Sequence, residues 1–172
     1  MSEAKDKIDA ADDLFLLDEE EEDTQANKYL LFNLGKESYG LGIANVTDII
    51  EMQRITDVPD MPKYVKGVIN LRGKVIPVID LRLRFGMEER PYDDRTCIII
   101  VNLYNASIGF IVDTVSEVHE ILPKNIDPPP SFKTTSGKDR YISGLGKIGE
   151  EVKILLDIKK IVDEEEMTNL GA

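Results

Sequence analysis

One cysteine, one histidine and no apolar run long enough to cross a bilayer mark this 172-residue chain. A lone Cys97 excludes an internal disulfide and a paired-cysteine metal knuckle, and at the head of CIIIVNL it reads as a small strand hydrophobe. His119, in EVHEIL, has no cysteine, serine or aspartate cluster placed with it for a triad, and reads as a surface or structural residue. A metal needs several convergent ligands, and the dense carboxylates lie at the two ends of the chain, where holding a geometry is costly. No metal, no cofactor and no catalytic residue are expected. GLGKIG, residues 144–149, lacks the spacing of a phosphate loop and precedes a strand instead of opening a helix, so it reads as a turn. A membrane-spanning helix needs about 20 apolar residues, and the start MSEAKDKIDAADD carries no apolar signal region. The expected location is the cytoplasm.

Basic charge is also scarce in any one place. The net charge is −12, yet residues 1–23 hold eleven acids against two lysines and Asp163–Glu166 add four more, which leaves the remainder at about +1. The acidity belongs to the ends. Counterion-release binding to nucleic acid needs a concentrated Lys/Arg surface, and none is present, so nucleic acid is not an expected partner. Residues 1–27 are expected to be a disordered acidic tail, because DEEEED repels itself and too few apolar residues accompany it. Leu14–Leu17, LFLL, interrupt the acids without pointing to a function. Residues 163–172 are expected to form an acidic helix end or tail.

Strand pattern dominates from Tyr29 onward. YLLFNL and SYGLGI flank GKE, and TCIIIVNL and SIGFIV flank YNA, each a hairpin reading. A shift of 69 positions lays residues 29–51 on residues 98–120 without a gap, matching Asn33 with Asn102, Gly40 with Gly109 and Val46 with Val115. Hairpins of alternating Val and Ile align easily by eye, so duplication and coincidence both stand at this point. The order then recurs: a proline-bearing link, a glycine-centred turn, an apolar strand, and an aspartate, Asp80 or Asp157, placed to cap a short helix. Crossover helices of ten or more residues are missing, which favours small barrels over βαβ units. The expected fold is all-β with short helices: two pseudo-symmetric five-stranded SH3-like barrels sharing a hydrophobic seam. The body is residues 28–167, its halves about 28–95 and 96–162, with room for an exchange of terminal segments. Barrels of about 65 to 70 residues are marginal alone, hence the seam.

Two features remain open on the residues alone. GIANVTDIIEM sets Ile43, Val46, Ile49 and Ile50 around Asp48, and these are either core or an exposed apolar patch that marks a partner site. Arg72 stands at the bend of INLRGKVIPVIDL between two apolar runs, where by itself it is a solvated turn residue.

The stretch EMQRITDVPDMPKYVKGVINLRGKVIPVIDLRLRFGM resembles the signature region of the CheW family of chemotaxis coupling proteins, with GVINLRG and VIPVIDL its most specific parts. IGFIVDTVSEV and YISGLGKI resemble the family's second half. The resemblance implies two SH3-type barrels and a non-enzymatic adaptor linking the cytoplasmic tip of chemoreceptors to the histidine kinase CheA at membrane receptor arrays. It implies a receptor groove including Ile43 and Val46 from one barrel with Gly109 and Val112 from the other, and an Arg72–Asp48 pair beside it, Asp48 standing where glutamate is common in the family. It also implies hydrophobic kinase docking, placed at Ile55, Val58 and Met61 and at Phe132, which equally reads as a loop residue folded onto its own barrel. A generic β-barrel interaction module and a ligand-binding or catalytic barrel are the other readings; the latter requires polar groups converging in a pocket.

Overall fold

The computed structural model describes residues 25–129 and 138–162. Among the described residues eleven strands carry the fold: β1 Lys28–Leu34, β2 Glu37–Gly42, β3 Val46–Glu51, β4 Val65–Leu71, β5 Lys74–Asp80, β6 Cys97–Leu103, β7 Ala106–Val112, β8 Thr114–Glu120, β9 Ile126–Asp127, β10 Ile142–Ile148 and β11 Glu151–Leu156. Two single-turn helices, α1 Leu81–Arg84 and α2 Ile158–Ile161, come directly after β5 and β11. Each begins at an aspartate whose side chain takes free helix N–H groups: Asp80 accepts from Arg82 and Leu83, Asp157 from Lys159.

The strands form two sheets, one of six in the order β8-β1-β2-β11-β10-β9 and one of five in the order β3-β6-β7-β5-β4. In each, the two edge strands are neighbours in sequence. β8 and β9 are joined by residues 121–125, which include a 3₁₀ turn at Pro123–Asn125, and β3 and β4 by residues 52–64, from which Thr56 bridges to Val68. Edges tied so closely force each sheet to curl on itself, and each is a small barrel. The six-stranded one, built from both ends of the chain, is the outer barrel; the five-stranded one is the central barrel.

The repeat is real in three dimensions. A shift of 69 carries β1, β2 and β3 onto β6, β7 and β8, and a shift of 77 carries β4, β5 and α1 onto β10, β11 and α2, within one residue at every boundary. The parallel contact repeats too, β11 with β2 at Leu155↔Gly40 and β5 with β7 at Val78↔Gly109. Each barrel nevertheless draws strands from both sides of residue 95. The third strand of each unit crosses over: β3 pairs with β6, and β8 pairs with β1. The outer barrel has a sixth short strand beyond the expected five.

Period-two alternation divides the core. Along β1, Leu30, Phe32 and Leu34 face the second barrel, and along β6, Ile99, Val101 and Leu103 face back, all in one cluster with Phe110, Val112, Leu81 and Phe85. This is the shared seam. The opposite faces of the central strands supply a separate interior of Ile69, Ile76, Val78, Ile98, Ile100 and Ile111. Both faces of β6 are thus buried, which is why its sequence is an unbroken apolar run. At about 1.5–3 kcal/mol for each fully buried aliphatic side chain, the two clusters dominate the stabilisation of the fold.

Candidate functional site

The β4–β5 turn is two residues long. Arg72 (φ +53°) and Gly73 (φ +85°) are both left-handed, as a type I′ hairpin requires. Asn70 Oδ1 accepts from the Gly73 N–H at 3.0 Å and braces the turn. Glycine adopts this geometry freely, whereas an arginine there is strained, and its side chain is left 79% exposed. Opposite, β3 carries a bulge: Val46 pairs with Val101 and Asp48 with Ile100, so Thr47 is extra, and its hydroxyl donates to the Ile100 carbonyl at 3.2 Å. Closure of the barrel brings these two edges together. An Arg72 Nη2 lies 3.3 Å from Asp48 Oδ2, while the second Asp48 oxygen accepts from the Ile49 N–H at 2.9 Å. Below them a shallow depression of about 300 Å³ opens into the barrel mouth, with Leu71, Ile76 and Ile100 as floor and Thr47, Lys74 and Ser107 on the rim. Lys74 Nζ donates to Ser107 Oγ at 3.1 Å.

Ile43 and Val46 lie beside this corner on the run leading into β3, half-buried, with their inner sides on the seam cluster. Gly109 and Val112 do not join them. Val112 is 1% exposed within the seam, and Gly109 is buried where a Cβ would stand 2.7 Å from Ile98 Cγ2 and 2.8 Å from Val78 Cγ1. The glycine is there because the parallel strand passes close, and it offers no groove surface. Ile55 rests on the central interior and Met61 on the seam, each half-buried with Val58 between them. Phe132 lies outside the described residues, as do the 1–24 part of the acidic tail and residues 163–172.

A second polar cluster escaped the sequence reading. Asp113, between β7 and β8 where the chain leaves the central barrel for the outer one, is only 9% exposed. Arg82 of α1 grips it with two bonds, Nε to Oδ1 at 2.7 Å and Nη2 to Oδ2 at 2.6 Å. The same Oδ2 accepts from Arg90 Nη1 at 3.1 Å and from the Gly35 N–H at 2.8 Å. Burial would push the Asp113 carboxyl up, but the Arg82 hydrogen bonds, the Gly35 N–H and the charges of Arg82 and Arg90 outweigh it and hold it below the usual carboxylate range. Alongside, the Tyr92 hydroxyl donates to Asp80 Oδ2 at 2.7 Å, and burial with that bond drives the phenol pKa upward. The cluster bolts α1, the 87–96 link and the β1–β2 turn to the crossover. Its only mark in the sequence is a charge set inside apolar runs, the same signal that singled out Arg72.

Three comparisons bear on what such an object is. A family model described as a CheW-like domain matches residues 28–166. The Klebsiella aerogenes chemotaxis protein CheW is 39% identical over 145 residues, covering 84% of this chain and 87% of that protein. The Helicobacter pylori chemotaxis protein CheW is 32% identical over 146 residues, covering 85% and 87%. The crystal structure of the scaffolding protein TtCheW from Thermoanaerobacter tengcongensis superposes with a TM-score of 0.75 at 35% identity, covering 82% of this chain and 95% of that one. The duplicated double barrel is therefore that of a scaffold of bacterial chemotaxis, and the chain belongs to the CheW family.

Proposed function

We propose that this chain is a non-catalytic adaptor that couples the cytoplasmic tip of chemoreceptors to the histidine kinase CheA, working in the cytoplasm at receptor arrays. Among the described residues no helix is long and apolar enough to cross a membrane. Recruitment to an array runs through the proposed protein partners. The receptor surface is the corner of the central barrel formed by Ile43, Val46, Asp48 and Arg72. The observation that carries this reading is the Arg72–Asp48 pair. A strained, left-handed arginine whose side chain is 79% exposed returns little to stability, since an exposed ion pair contributes about 0–1 kcal/mol. Its value is outward: it fixes the wall of an apolar depression and presents a guanidinium to a helical tip. The half-buried Ile43 and Val46 supply the apolar contact of a helix-in-groove mode. The kinase meets the 52–64 link through the outer sides of Ile55, Val58 and Met61.

The test is reconstitution of this protein with a receptor tip fragment and the kinase, with kinase phosphorylation as the readout. Stimulation that Arg72→Ala and Val46→Met abolish, with the circular dichroism melt unchanged, supports the proposal. Absence of stimulation and of a ternary complex with the wild type sinks it. Gly109→Asp is a poor probe, because the aspartate would be driven into Ile98 and Val78.

A further inference from the structure

The first residues of the chain have no part in that function, yet one place on the described surface suits them chemically. Residues 12–23 read DDLFLLDEEEED, four apolar side chains between two acidic blocks. Such a segment calls for an apolar floor whose rim carries more cations than carboxylates. The mouth of the central barrel has this form, with Leu71, Ile76 and Ile100 below and Arg72 and Lys74 outnumbering the single carboxylate of Asp48 above. Elsewhere, exposed Val118 adjoins Glu117 and exposed Val152 stands between Glu151 and Lys153, neither with a comparable pair of cations above an apolar floor.

Reach permits the contact. The undescribed start joins the fold at Gln25, four residues before Tyr29, which pairs with Gly42, and Gly42 is six residues from Asp48, at most about 20 Å along the chain. The eight residues from Leu17 to Gln25 span up to about 27 Å. We propose that Leu14–Leu17 fold back onto the mouth of the central barrel, the acids of residues 18–23 drawing Arg72 away from Asp48, so that the chain covers its own depression. The pair is suited to such exchange, being a single 3.3 Å contact with one partner 79% exposed. The regulatory meaning, one surface contested by tail and receptor, rests on the function proposed above; the docking itself does not.

The experiment uses the full chain with Cys97→Ser and a nitroxide on Leu16→Cys, and reads paramagnetic loss of amide signals. Loss is expected at Asp48, Arg72 and Lys74, and its recovery in an Arg72→Glu/Lys74→Glu background. Unlabelled wild type compared with Phe15→Ser/Leu16→Ser reads the same surface through amide shifts and needs no cysteine change. Signal loss confined to residues near Asn27, or centred on Val118, overturns the proposal. Loss at the barrel mouth that persists with saturating receptor tip fragment upholds the docking and removes the shared-surface reading.

Discussion

The two barrels share a topology and differ in what fills them. The central interior is Ile69, Ile76, Val78, Ile98, Ile100 and Ile111, six aliphatic side chains from four strands. The positions equivalent under the 69 and 77 shifts in the outer barrel are Gly146, Lys153, Leu155, Tyr29, Leu31 and Gly42. Two glycines, a lysine and a tyrosine replace aliphatic groups. Lys153, with a side chain only 14% exposed, reaches out to Glu151 at 2.7 Å. At these equivalent positions, among the described residues, the duplicated fold keeps its backbone and changes its filling, with Leu31 and Leu155 the buried aliphatic residues on the outer side. The central barrel, which bears the Arg72 corner, has the more aliphatic filling at these positions, and the Asp113 bolt ties it to the outer barrel. A well-packed interior beneath the proposed receptor corner is consistent with a preformed surface, which loses less on ordering when a partner arrives.

The contrast can be broken most severely at the paired glycine bulges. At Gly67 (φ +142°) a Cβ would stand 2.1 Å from the Thr56 carbonyl oxygen, the atom that closes the central barrel, whereas at Gly144 the nearest atom is a flexible Ile126 methyl at 2.7 Å. Gly67→Ala is expected to cost about 4 kcal/mol or more in denaturant melts, and Gly144→Ala about half of that. Next comes the bolt. Asp113→Ala leaves Arg82 buried without its carboxylate and is expected to cost about 3–5 kcal/mol, loosening the outer barrel first by hydrogen exchange. Because the folded Asp113 pKa lies below its unfolded value, its stabilisation is present above about pH 4 and is lost as pH falls through the folded pKa. Asp113→Asn is therefore expected to flatten the acid limb of the stability profile. The cores themselves can be exchanged: Ile76→Lys should cost about 3 kcal/mol, while Lys153→Ile should be neutral or gain about 1 kcal/mol. Smallest of all, Arg72→Ala should change stability by no more than about 0.5 kcal/mol, measured in the same melts, while weakening receptor binding.

Much of this was legible in the sequence, because the signals are local. Alternation, turn residues and the two capping aspartates each act within a few positions, so the hairpins and the short helices could be read directly, while the 69-residue repeat was visible but needed the structure to separate it from coincidence. The crossover could not. VTDIIE in β3 alternates half-buried and exposed residues and fits the edge of either barrel; only the partner strand decides. The Arg72–Asp48 contact was reached through resemblance, since an arginine in a turn is unremarkable by itself. Gly109, expected in the groove, is buried against Ile98 and Val78, and strands buried on both faces give no sign in the sequence of which side meets solvent. Arg82 and Asp113, 31 residues apart, looked like unrelated charges until folding joined them.

The strand crossover also sets an order of events as the chain emerges during synthesis. β3 to β7 are one uninterrupted segment, so the central barrel can close as soon as its last strand is made. The β1–β2 hairpin, made first, must wait for β8 to β11 before its own barrel exists, with Leu30, Phe32 and Leu34 seeking cover meanwhile. The finished central barrel offers that cover on its seam face. The copy that can close first thus presents a surface against which the other can assemble.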